Sequence, residues 1–277
     1  MDYKEIKKEL RKYASLKRKN INERFFKTGK GQYGEGDKFI GVCVPDIRRV
    51  ARKFAKVKLK DSEKFLQSEI HEERLLALLI LIEKNKKANR NENRAEQKKI
   101  VNFYLRNKKW VNNWDLVDIS AHHILGQAVF DGLKSKSIFT KLTASSVMWN
   151  RRIGIIASWT FIKNGEVNLT LRLTKKLLSD KEDLMHKAVG WMLRECWKLG
   201  EVDKKSAIIS SKSSTNPTNE KNETKSASRK NKKGKKAQEK VEQFLIKNYD
   251  QLPRTTLRYA IERMAEEKRK RFLRGEF

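Results

Sequence analysis

The chain has 277 residues, enough for one large domain or two small ones with a sizeable core. Hydrophobic residues make up 38% and charged residues 36%, a balance that suits an elongated helical protein, and three prolines with thirteen glycines are too few turn-formers for an all-β chain. Lys and Arg number 65 against 34 Asp and Glu, a formal net charge of +31 that points to a polyanionic partner; a Lys-rich proteome is the bland alternative.

Part of that charge is local. Residues 204 to 240 hold 12 basic and 3 acidic side chains, a net +9 that leaves +22 for the rest. Cys43 and Cys196 lie far apart with no CxxC spacing, so neither a disulfide scaffold nor a zinc knuckle is expected. The opening MDYKEIKKELRKY is charged and amphipathic, and no stretch approaches the roughly 18 apolar residues of a membrane span. The expected setting is reducing, soluble and cytoplasmic, with no membrane partner.

Helical periodicity recurs along nearly the whole chain. Residues 2 to 18 read as one amphipathic helix. Pro45 fits the first turn of the next, VPDIRRVARKF, because proline lacks an N–H that a helix start leaves unpaired anyway. Asp61 or Ser62 then serves as a cap, and HEERLLALLILIEKNKK supplies a strongly apolar helix. Further helices are expected near 92–108, 112–130, 134–142, 146–163, 167–179, 181–199, 238–248 and 253–275.

Like elements recur roughly every 35 to 45 residues, near the HEAT and armadillo range. The predicted fold is therefore all-α, a curved solenoid of HEAT-like antiparallel helix pairs, with a plain helical bundle as the alternative. Residues 1–203 form its main part and 238–277 complete it. Between them, 204–237 is Ser/Thr/Asn/Lys-rich with almost nothing to bury, and is expected to be a disordered basic insert. It serves either as an added phosphate contact or as a passive linker.

Gly29, Gly31 and Gly34 spell GxGxxG, but the preceding INERFFK continues a helix and no βαβ unit follows. Nucleotide binding is set aside on that context. The loop reads as a connection, with the option that its N–H groups face a DNA phosphate.

KKWVNNWDLVDISAHH is the most informative stretch. Trp114 and Asp118 are four apart and share a helix face, and Asn112 or Asn113 can cap that helix with Asp115 in its first turn. Taken alone, the segment fits a core tryptophan and a salt-bridged aspartate at least as well as a site. VMWNRRIGIIA places Trp149 and Arg152 on one face, beside Arg151. DLMHKAVGWMLRE does the same with Lys187, Trp191 and Arg194. Indoles interleaved with basic residues suit a nucleic-acid backbone, although core packing is the commoner fate of any one Trp. His71, His122, His123 and His186 show no metal spacing with the cysteines, so no metal is expected.

NNWDLVD, WNRRIGIIA, HKAVGWMLRE and LPRTTLRYAIE, with ERFFKTGKGQYGEGDKFIGVCVPDIRRVARKF near the start, resemble the AlkD family of DNA alkylation-repair glycosylases. The resemblance spans about nine-tenths of the chain, the insert excepted. It implies a HEAT-like solenoid around duplex DNA that excises N3- and N7-alkylated purines without extruding the base and without a cofactor. It also implies that Asp118 is the catalytic aspartate, that Trp114 and Trp191 flank the lesion's deoxyribose, and that Arg152 and Arg194 contact DNA. An N-terminal aromatic contact falls on Phe25, which lacks the hydroxyl that a tyrosine brings in this family. A monomer acting on alkylated double-stranded DNA is the expectation. A non-catalytic binder of damaged or branched DNA and a HEAT-like interaction scaffold remain the alternatives.

Overall fold

The structure, a computed structural model, describes residues 3–201 and 217–277, with side chains in the last segment from 232 onward. Every regular element in the described residues is helical, and an isolated bridge joins Lys38 to Ile70. The chain divides into two compact units, Met1–Ile138 with Arg152–Ala157, and Phe139–Arg151 with Ser158–Phe277. Short helices joined by brief connections make this an all-α helical-repeat fold.

The first unit begins with α1 (Tyr3–Arg11) and α2 (Leu16–Phe25) rather than one helix over 2–18. Ser15 is extended and caps α2, its hydroxyl accepting the Arg18 N–H at 3.4 Å, while its own N–H reaches the Ile40 carbonyl at 3.1 Å. Gly41 permits that approach. Its φ is +78°, and a Cβ there would lie 2.1 Å from the Ser15 carbonyl oxygen. A tertiary fastening thus breaks a helix that periodicity alone would continue.

α3 (Val44–Lys53) carries Pro45 in its first turn as expected. α4 (Leu59–Leu66) starts earlier than a cap at Asp61 or Ser62 requires; Asp61 is in its first turn, and the Ser62 hydroxyl bonds the Lys58 carbonyl at 3.4 Å. α5 (His71–Arg90) is buried without interruption from His71 to Ile82 and packs against α3, α4, α6 (Arg94–Arg106) and α7 (Trp114–Ala121). Each buried Leu or Ile of that helix contributes about 1.5–3 kcal/mol relative to exposure, so α5 is the spine of the unit. α7 runs on through a π-helical turn at His122–Gly126 into α8 (Gln127–Phe130).

α9 (Ser137–Thr143) and α10 (Met148–Ala157) follow, and α11 (Trp159–Lys163) continues after Ser158, which divides the helix expected over 146–163. The second unit then contains α12 (Asn168–Lys176), α13 (Asp183–Lys198), α14 (Pro217–Lys247), α15 (Arg254–Ile261) and α16 (Glu266–Arg274). α13 packs against α11, α12, α14 and α15. At Gly190 a Cβ would meet the Tyr259 Cβ at 2.5 Å and the Thr256 carbonyl oxygen at 2.6 Å, so glycine lets α13 and α15 cross closely.

Of the expected insert, residues 204–216 lie outside the described residues; from Pro217 the chain is helical to Lys247. Ala237, Val241 and Leu245 are buried on one face of α14, and Gly234 lies against the Leu199 carbonyl. A helix anchored at its C-terminal half propagates back through Lys, Glu and Ala, which are good helix formers.

Candidate functional site

Asn113 starts α7. It is fully buried, its side-chain oxygen accepts the Trp114 N–H at 2.8 Å, and its amide donates to Asp37 Oδ2 at 3.0 Å. The cap therefore fixes the first turn of α7 to the loop before α3. Trp114 is half-buried and stacks on Phe26, ring centroids 5.3 Å apart at 15°, with Phe25 edge-on at 5.8 Å. Its indole Nε1–H donates to the Tyr33 hydroxyl at 3.3 Å, and that hydroxyl donates to the Phe25 carbonyl at 3.3 Å.

One turn along α7, the Asp118 side chain is 18% exposed. Arg152, itself buried, grips both its oxygens: Nε donates to Oδ1 at 2.9 Å and Nη2 to Oδ2 at 2.8 Å. Burial pushes the Asp118 carboxyl above its ordinary range; Arg152 opposes this, and the negative charge of Asp115 adds to it. Arg152 is thus the counter-charge of Asp118, a role that the interleaved pattern of basic residues and tryptophans did not reveal.

A second charged cluster lies beneath. His71 bridges Asp37, at 2.9 Å from Nδ1, and Asp115, at 2.7 Å from Nε2, while Arg74 also binds Asp37. Burial alone would push His71 down, but Asp115 and Asp37 outweigh it and raise the imidazole to about 9. Burial likewise pushes Asp37 up, and His71, Arg74 and Asn113 together bring it below its ordinary value. His71 also stacks on Phe39 at 4.6 Å and lies 4.9 Å from Phe26, the ring beneath Trp114.

The remaining expected residues are engaged in other ways. Phe25 is 61% exposed. Arg151 clamps a turn, pairing with Asp180 at 2.6 and 3.0 Å and donating to the Ser145 and Ser146 carbonyls. Trp191 belongs to the second unit, edge-on to Trp159 at 5.0 Å, with its Nε1–H on Glu195 at 3.1 Å. Lys187 pairs with Asp183 at 2.7 Å, and Arg194 with Glu262.

The glycine loop offers little to a phosphate. The Gly29, Gly31 and Gly34 N–H groups go to Gln32, Glu35 and the Lys27 carbonyl. His122 and His123 lie together in the π-helical turn, ring centroids 4.0 Å apart. His186 donates from Nε2 to the Asp180 carbonyl at 2.5 Å. Among the described residues no group of His, Cys, Asp and Glu is placed to hold a metal, and no helix is long and apolar enough to cross a membrane.

Tyr33, Asp37 and Arg74 escaped the sequence reading, and His71 entered it only as a histidine without metal spacing. The contacts that join them to one another and to Trp114 span 34 to 81 residues along the chain. The available signal was local: a tyrosine in a glycine loop just after Phe25 and Phe26, and a histidine heading the most apolar helix.

Fold and site together define a helical-repeat protein with a guanidinium-gripped carboxylate one turn from a stacked indole. The family model described as DNA alkylation repair enzyme matches residues 6–226 and 231–264, and the chain belongs to that family. It is similar in fold to a solved structure described as a predicted DNA alkylation repair enzyme from Enterococcus faecalis. That likeness has a TM-score of 0.59 at 15% identity, over 91% of this chain and 97% of the other. No curated protein matches the sequence. Family membership gives the chain a role in alkylation repair, as an enzyme whose partner is DNA.

Proposed function

We propose that the chain is a DNA glycosylase. It hydrolyses the N-glycosidic bond of cationic N3- or N7-alkylated purines in duplex DNA, as a monomer and without a cofactor, opening base excision repair. Asp118 carries this reading: a mostly buried carboxylate gripped at both oxygens, one turn from the Trp114 indole, in a chain of the alkylation-repair family.

Alkylation at N3 or N7 puts a positive charge on the purine. When the bond to C1′ breaks, both electrons go to the base, which leaves neutral and needs no general acid. The protein has to stabilise the oxocarbenium-like sugar and orient the water whose oxygen bonds to C1′ and whose proton passes to Asp118 or solvent. A carboxylate about 4 Å from that charge contributes up to about 4 kcal/mol at an effective dielectric near 20, roughly three decades in rate. Arg152 offsets part of this field. In return it fixes the carboxylate before the reaction begins, so no reorganisation is needed as charge develops.

The two oxygens of a carboxylate present about four acceptor directions. The pair with Arg152 uses two, leaving acceptors for a water. Trp114 and Trp191 offer electron-rich faces to the cationic sugar and DNA, and Phe25 offers an exposed ring. Lys187 and Arg194, paired at or near the surface, exchange their carboxylate partners for phosphates. Arg151 is assigned to the turn it clamps.

Excision without base extrusion rests on the family resemblance and predicts tolerance of bulky adducts, since no pocket sizes the base. Single-turnover assays on duplexes carrying N7-methylguanine, or a bulky N7 adduct, test the proposal. Free alkylated base should appear from both. Tight binding with no base released marks a non-catalytic binder. Weak binding with a shallow salt dependence marks an interaction scaffold.

A further inference from the structure

The buried cluster beneath Trp114 reaches the candidate site by three routes. Both ring nitrogens of His71 face carboxylate oxygens, at 2.9 Å for Asp37 and 2.7 Å for Asp115. An ionised carboxylate only accepts, so this geometry calls for a proton on each nitrogen, the imidazolium. With Arg74 on Asp37, two buried cations face two anions.

The first route to α7 is Asp115, three residues before Asp118. The second is Asn113, which links Asp37 to the Trp114 N–H. The third is the ring column from His71 through Phe26 to Trp114. We propose that protonated His71 is a positioning residue for base removal: it neutralises Asp115, thereby keeping Asp118 ionised, and holds the first turn of α7 in place. This inference rests on the glycosylase reading.

Asp118 faces Arg152 from α10, Asp115 on its own helix and the Tyr104 hydroxyl on α6. His71 faces Asp37 from the loop before α3, Arg74 on its own helix and Asp115 from α7. Asp115 already raises the proton affinity of Asp118. Without the imidazolium its charge is uncompensated, and Asp118 holds its proton to higher pH.

The test follows Asp118 and His71 by NMR titration in the full chain, in the wild type, His71→Gln and Asp115→Asn. Single-turnover excision of N7-methylguanine is recorded against pH in parallel. Wild-type His71 should keep its proton up to about pH 9. His71→Gln should move the Asp118 midpoint, and the acid limb of the excision profile with it, to higher pH. Asp115→Asn should move that midpoint the other way.

A purely structural role lowers the rates of both variants without moving the midpoints in opposite directions. An Asp118 midpoint common to all three proteins overturns the proposal, as does a His71 that loses its proton near the ordinary 6.5. If His71→Gln does not fold, the wild type and Asp115→Asn still decide. Opposed midpoint shifts in a chain that releases no base support the coupling and overturn the glycosylase reading instead.

Discussion

Trp114 and Trp191 look alike in the sequence, each on a helix with charged neighbours at helical spacing, yet the two settings differ. Around Trp114 the charges are largely buried: Arg152 and Asp118 have side chains 5% and 18% exposed, and His71, Asp37 and Arg74 are buried as well. Around Trp191 the carboxylate that takes its indole N–H, Glu195, is buried to a similar degree, but the basic residues lie nearer the surface, as in the Lys187–Asp183 pair at 41% and 60%. A buried pair is costly to break because the survivor is left without a counter-charge, whereas an exposed pair is worth about 0–1 kcal/mol. The first setting fixes geometry; the second can exchange a carboxylate for a phosphate at little cost.

The largest effect is expected from Arg152→Met. It leaves Asp118 buried without its cation and should destabilise the chain by about 3 kcal/mol, measured by denaturant unfolding. A loss below about 1 kcal/mol would place this pair in the same class as the surface ones. Gly190→Ala comes next. Its new methyl meets Tyr259 and Thr256 well inside contact distance, and a cost of about 2 kcal/mol is expected from packing alone.

The buried cluster also predicts a pH dependence of stability. The folded-state value of His71, about 9, lies above its ordinary 6.5. Its contribution is complete below 6.5 and is lost as pH rises through about 9. Asp37 behaves oppositely, its contribution being lost as pH falls below the ordinary carboxylate range. The melting temperature should therefore decline on the alkaline side, and His71→Gln should flatten that decline.

Lys187→Ala should have the smallest effect on the fold, about 0.5 kcal/mol or less. On DNA, the slope of log affinity against log salt should fall by about one if Lys187 meets a phosphate. An unchanged slope removes Lys187 from the DNA surface.

The sequence revealed what depends on neighbours along the chain. The strongly apolar stretch HEERLLALLILIEKNKK placed α5, Pro45 marked the start of α3, and Asn112 or Asn113 offered the cap that Asn113 supplies before Trp114. It did not reveal what depends on contacts between distant segments. Ser15 breaks the first helix through Ile40 and Gly41, and Asp118 meets an arginine 34 residues later. The Asp37–His71–Asp115 cluster joins three segments with no shared motif. The part of α14 before the expected helix at 238–248 was not legible for a related reason: its composition offers little to bury, and the residues that anchor it lie at the far end of the helix.

The central claim is that the Asp118 carboxylate stabilises the departing cationic sugar. Its most direct test is the single-turnover excision rate of Asp118→Asn against the wild type on one N7-methylguanine duplex, with DNA affinity and melting temperature recorded alongside. Because Arg152 offsets part of the field, the expected loss is about hundredfold rather than the full three decades, with affinity nearly unchanged. An Asp118→Asn chain that folds, binds and excises at the wild-type rate would contradict the account.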